Sequence, residues 1–198
     1  IPVGPWANWF LGLAELVHRY PQADAYLIIP DDAVFCRNLR AFLERSLWPA
    51  ERVGVVLLSC PTSSAPPISG WQRIDHWWQT QGTLAYLFPG AGARLLLSHP
   101  RLIGPGCHAS NEVTVISTLI WQWAVQTGLP VYSYWPSLAQ SIGTASMDEW
   151  AGRCRKADFV GEDFDALSLQ PANITASRTG VISRDGDEIV VTEGRARL

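Results

Sequence analysis

Apolar residues recur at helical spacing from Trp6 to Tyr20, through Trp9, Phe10, Leu13, Leu16 and Val17, and Pro21 closes the run. Ala25-Tyr26-Leu27-Ile28-Ile29 is a short continuous apolar run. Such a run is expected of a strand covered on both faces. It stops at Pro30-Asp31-Asp32. A second helix is predicted over Asn38–Trp48, with Leu39, Phe42, Leu43 and Leu47 on one side and Pro49 as its stop, and a second buried strand over Val53–Ser59. Cys60–Gln81 combines prolines, serines and three tryptophans (Trp71, Trp77, Trp78) and reads as a long surface loop or lid. A strand over Gly82–Pro89, a short helix over Gly90–Ser98 and a Gly/Pro loop over Pro100–Ser110 follow. Val113–Thr127 is the strongest helical pattern, stopped by Gly128-Leu129-Pro130, and Val131–Trp135 is the last clear strand.

Strands alternating with helices predict an α/β fold: a mixed, mostly parallel sheet flanked by helices. The core is expected over residues 1–150. From Arg153 onward the texture is polar, so 151–198 is read as an irregular C-terminal extension, with a hairpin over Val181–Val191 about Asp185-Gly186.

Composition narrows the function. Hydrophobic residues at 47% and charged residues at 17% are a globular balance. A net charge of −3 leaves no basic excess for phosphate contacts, so nucleic acid is not an expected partner. No apolar run approaches the roughly 20 residues of a bilayer span, so no transmembrane segment is expected. The N-terminus lacks the basic-then-apolar pattern of a signal peptide. Cys36, Cys60, Cys107 and Cys154 are far apart and form no CxxC pair. They read as separate reduced thiols, which suits a cytoplasmic protein. The ten tryptophans supply flat apolar faces suited to a core or to sugar rings.

Candidate chemistry centres on Asp31-Asp32, placed where a buried strand ends and ligands of α/β sheets collect. Two adjacent carboxylates repel each other, and a hard divalent cation such as Mn²⁺ or Mg²⁺ would relieve that repulsion. The competing reading is a turn or helix cap. Asn111-Glu112 opens the strongest helix, where Glu112 could cap it or act as a general base. His76 and His108 lie in loops and could meet a metal or a phosphate, or simply be solvated. No phosphate-cradling Gly-rich motif and no GxSxG elbow is present.

The order of these features resembles the glycosyltransferases of the GT-A (Rossmann-like) fold. Ala23-Asp24-Ala25-Tyr26-Leu27-Ile28-Ile29-Pro30-Asp31-Asp32-Ala33-Val34-Phe35 is similar to their apolar strand with a DxD-like motif. Lipopolysaccharide-type and N-acetylglucosaminyltransferase IV-like transferases show this arrangement. Gly82–Phe88 with the helix after it resembles the acceptor-side strand and helix, and Trp135–Ser146 resembles a terminal P-S-L-x-Q-H-x-G-x-x-S segment. The resemblance spans about residues 5–147.

It implies a metal-assisted transfer of sugar from a nucleotide-sugar donor to a carbohydrate, lipid-linked or small-molecule acceptor, which could bring the protein to a membrane. Asp32 matches the metal-binding aspartate, and Asp31 the position that approaches the ribose or the metal. Ser141 stands where the family often has a metal-binding histidine. Glu112 occupies the region of the base in inverting members. Asn111, Gly82 and Thr83 fall on substrate-binding positions, and Trp71 in the expected lid is a further substrate contact. Three departures stand out. Pro30 replaces the first acidic residue, Ser141 replaces the histidine, and no strand–helix–strand unit precedes the first helix. Residues ahead of Ile1, or a shortened transferase, are the expectations for that last departure. A non-catalytic carbohydrate- or nucleotide-binding module of the same fold is the alternative. A phosphate-ester hydrolase with Asp31 as nucleophile is disfavoured, since it needs a lysine and the evident one, Lys156, lies in the tail.

Overall fold

The computed structural model describes residues 4–45, 48–59, 69–80, 85–103, 114–141, 159 and 161–169. Helix α1 (Pro5–Arg19) starts with proline in its first turn, where no N–H is needed, and ends as the Tyr20 N–H donates to the Leu16 carbonyl. Strand β1 (Ala25–Ile28) leads through Pro30 and the two aspartates to the short strand β2 (Ala33–Phe35), and α2 (Leu39–Arg45) follows. Then come β3 (Val55–Leu57), β4 (Gly70–Ile74) and β5 (Tyr86–Pro89). Helices α3 (Gly90–Leu97), α4 (Pro100–Ile103) and α5 (Thr114–Thr127) precede β6 (Val131–Trp135) and β7 (Ala139–Ser141).

Five strands form one sheet in the order β1-β5-β3-β6-β4, and β2 pairs with β7 in a separate two-stranded ribbon. The sheet is mixed, as expected, but mostly antiparallel: only β3 and β6 run parallel, with Val55 opposite Val131. The expectation of a mostly parallel sheet is therefore corrected. Continuous apolar runs report that both faces of a strand are covered; they do not report its direction. Two antiparallel steps, β1 to β5 and β5 to β3, nevertheless leave β1, β3 and β6 pointing the same way.

Alternation along the strands feeds two apolar layers. Val55, Leu57, Tyr86, Phe88 and Val131 join Trp6, Leu13, Ala93, Ile120 and Trp123 on the face covered by α1, α3 and α5. Val56, Leu58, Leu87, Tyr132 and Tyr134 join Phe42, Leu43 and Ala166 on the other, against α2 and the 161–169 segment. Helix α3 packs unusually close. A Cβ on Gly92 would stand 2.8 Å from the Gly54 carbonyl oxygen, and one on Gly90 would stand 2.6 Å from that of Ala23.

A second correction concerns 60–81. Within this expected loop lies β4, paired along its length with β6. Trp71 is one of its inward residues, 3% exposed and edge-on to Tyr134 at 4.8 Å. It is a core side chain and not a surface platform for sugar. Trp77, in the turn after β4, is 51% exposed. The expected hairpin over 181–191 lies outside the described residues.

Candidate functional site

The carboxyl end of β1 delivers the chain to a turn at Pro30–Asp32, where the Ala33 N–H reaches back to the Pro30 carbonyl at 3.4 Å. β2 then runs antiparallel to β7, with Ala33 opposite Ser141, Val34 opposite Gln140 and Phe35 opposite Ala139. This register brings Ser141 to Asp32, and its hydroxyl donates a hydrogen bond to Asp32 Oδ2. The two residues are 109 positions apart in the chain.

Among the described residues, backbone hydrogen bonds tie the ribbon to the main sheet at Leu58. The Leu58 carbonyl, just past β3, accepts the Leu138 and Ala139 N–H groups at 2.8 and 3.1 Å. The ribbon thus lies at the end of the sheet where β1, β3 and β6 all finish. Ligands of α/β sheets gather beyond the carboxyl ends of strands, so the location suits a binding site.

Asp31 is exposed and Asp32 is half-buried. Among the described residues, neither is in an ion pair; the salt bridges join Arg19 to Glu15, Arg40 to Glu44 and Arg73 to Asp75. The Asp32 carboxylate and the Ser141 hydroxyl, with Asp31 next in the chain, are oxygen donors of the kind hard divalent cations take, and among the described residues no cationic side chain forms an ion pair with either aspartate. The set is sparse: among the described residues, no three His, Cys, Asp or Glu side chains converge. The residues therefore fit a Mn²⁺ or Mg²⁺ ion in donor chemistry. They would leave most of its coordination positions to water or to a bound ligand.

Asn111, Glu112, Gly82, Thr83 and His108 lie outside the described residues. His76 is exposed on the turn after β4, where its backbone N–H donates to Gln79 Oε1. Cys36, at the end of β2, is buried, and burial pushes its thiol up to about 11. It stays protonated and unreactive at neutral pH. Two open concavities, of about 270 and 320 Å³, lie at the opposite end of the sheet, around Val53 and Leu129 and around Ala23 and Arg94. Neither includes the aspartates.

One contributor escaped the sequence reading. Residues 161–169 belong to the expected polar extension, yet they pack against α2 and the ribbon. Phe159, Phe164, Ala166 and Leu169, apolar positions in a polar stretch, were the available signal. Among the described residues, no helix is long and apolar enough to cross a membrane. The chain matches no protein-family model, and no curated protein matches it.

Proposed function

We propose that the protein is a glycosyltransferase acting from a nucleotide-sugar donor, with the Asp31–Asp32 turn as its diphosphate end. The observation that carries this reading is the pairing of β2 with β7, which sets Ser141 against Asp32. These are the two positions that the resemblance to GT-A transferases marks as metal-binding. Asp32, with Asp31 beside it and Ser141 as a weaker oxygen donor, would hold Mn²⁺ or Mg²⁺. Such a cation supplies charge neutralisation for a departing nucleoside diphosphate.

The protein's own groups have separate tasks in this scheme. Ser141 holds the Asp32 carboxylate through one oxygen and leaves the other to a cation. Asp31, exposed at the turn, is available to a ribose hydroxyl. Glu112 takes the proton of an acceptor hydroxyl in an inverting reaction. Asn111, Gly82 and Thr83 are the substrate-binding positions that the resemblance implies. The acceptor is a glycan, a lipid-linked sugar or a small molecule.

The test is transfer or hydrolysis of sugar nucleotides with Mn²⁺, comparing the wild type with Asp32→Ala. Turnover is expected to fall by roughly 10²-fold or more, as when a single transition-state charge stabiliser is removed. Equal turnover in the two proteins overturns the assignment. One observation favours a second reading, a binding module of the same fold. Pro30 takes the place of one acidic residue, and the Asp32 carboxylate is already engaged by a hydroxyl. Calorimetry separates the two: sugar binding indifferent to Mn²⁺ and to nucleoside diphosphate supports the module.

A further inference from the structure

A two-stranded ribbon with three residue pairs is too small to hold its own register. Register matters here, because a slip of one residue would carry Ser141 to the opposite face, away from Asp32. Among the described residues, the hydrogen bonds at Leu58 hold β7. The other fastening comes from residues 161–169 and Phe159. The Arg37 N–H, just after β2, donates to the Phe164 carbonyl at 2.9 Å and to that of Glu162 at 3.1 Å. The Ala166 N–H returns to the Arg37 carbonyl at 2.9 Å. Phe159 bridges Ser137, just before β7. Both strands are therefore gripped at the end of the ribbon away from Asp32 and Ser141.

The gripping segment is itself locked by one side chain. Asp165 Oδ1 accepts from Asn38 Nδ2 at 3.0 Å and from the Leu167 N–H at 2.9 Å, capping the short helical turn at Ala166–Ser168. Asn38 reaches it from a left-handed backbone, φ 58°, which asparagine tolerates better than most residues. Arg45 adds hydrogen bonds to the Leu167 and Leu169 carbonyls, and Ala166 is fully buried beneath.

We propose that residues 161–169, with Phe159, form a strap that sets the register of the β2–β7 ribbon, and that Asp165 is the positioning residue for the Asp32–Ser141 pair. The proposal rests on the reading of that pair as the oxygen-donor site. Asp165 does not touch the site; it acts through Arg37 and the ribbon.

The test uses the full chain with Asp165→Ala and Asp165→Asn. The asparagine amide oxygen can accept the same two hydrogen bonds, whereas alanine accepts neither. Two readouts are followed: hydrogen exchange of the amides at 33–36 and 138–141, and Mn²⁺ affinity by titration with the metal alone. In Asp165→Ala, ribbon exchange should rise about tenfold, as for a lost helix cap, with exchange in β1, β3 and β5 unchanged. Mn²⁺ affinity should fall by a similar factor, and Asp165→Asn should recover most of both. If Asp165→Ala does not fold, Asn38→Ala, which removes a single hydrogen bond, takes its place with a smaller rise expected. Ribbon exchange that stays at the wild-type level, or that rises equally throughout the main sheet, overturns the strap. A wild type that binds no Mn²⁺ removes the metal-site reading instead, and the exchange data still decide the strap.

Discussion

Trp71 and Trp77 share one short stretch of sequence and do different things. The first is 3% exposed against Tyr134, the second 51% exposed on a turn. Replacing Trp71 by alanine opens a cavity in the layer that also holds Phe42 and Tyr134, at a cost of about 3–5 kcal/mol. Trp77→Ala should stay within about 0.5 kcal/mol. Urea denaturation of the two variants measures this, and similar losses in both would contradict the burial. Asp165 gives a second prediction. Hydrogen bonds from Asn38 and the Leu167 N–H, with Arg37 nearby, hold its carboxyl below the usual range. A depressed folded value means that its contribution is complete above the ordinary carboxylate pKa of about 3.9 and is lost as pH falls through the folded value. Wild type should therefore exceed Asp165→Asn in urea midpoint at pH 6, with the gap closing below about pH 4. A gap that is constant with pH would exclude the charge. Residue type alone could not reveal either role. Tryptophan suits both a core and a sugar platform, and the partners of Asp165 are 127 positions away and next door, at Asn38 and Leu167.

The elements were legible where their signal was local. The helices at 5–19 and 114–127 carry periodic apolar positions with a proline or a Gly-Leu-Pro stop, and Gly128 does adopt the left-handed conformation, φ 64°. The strands β1, β3, β5 and β6 lie within the apolar runs that announced them. β4 was hidden because only part of it is apolar. Its Gln72 and Arg73 lie on an edge strand with solvent nearby, and the prolines before it read as loop. β2 and β7, three residues each, carry too little pattern to stand out and exist because they pair with each other. Strand direction is likewise a property of pairing and leaves no periodicity in the chain. At this scale α3 offers a sharp prediction. Gly92→Ala must push the helix from the Gly54 carbonyl and should cost about 1–3 kcal/mol in a urea titration. A neutral result would mean that the helix can shift freely.

Among the described residues, the sheet is covered on both faces, with the acidic turn at one end and two open concavities at the other. Asp32, and Ser141 in the place of the family's histidine, are the positions that the resemblance marks as metal-binding, and a hydrogen bond across the ribbon joins the two side chains. Glu112, Asn111, Gly82 and Thr83 rest on the sequence alone, since they fall outside the described residues. The pairing of Asp32 with Ser141 has a further consequence in time. Asp32 emerges early in synthesis, but its partner follows 109 residues later, and Asn38 waits 127 residues for Asp165. Contacts so distant in sequence form slowly, although the entropy of closing long loops grows only gently with their length. The pairing of Asp32 with Ser141 is therefore expected to form late in folding. Until residues 161–169 are made, Asn38 and Arg37 lack the partners they have in the folded chain, so a paired Asp32 and Ser141 would mark a molecule whose chain is nearly complete.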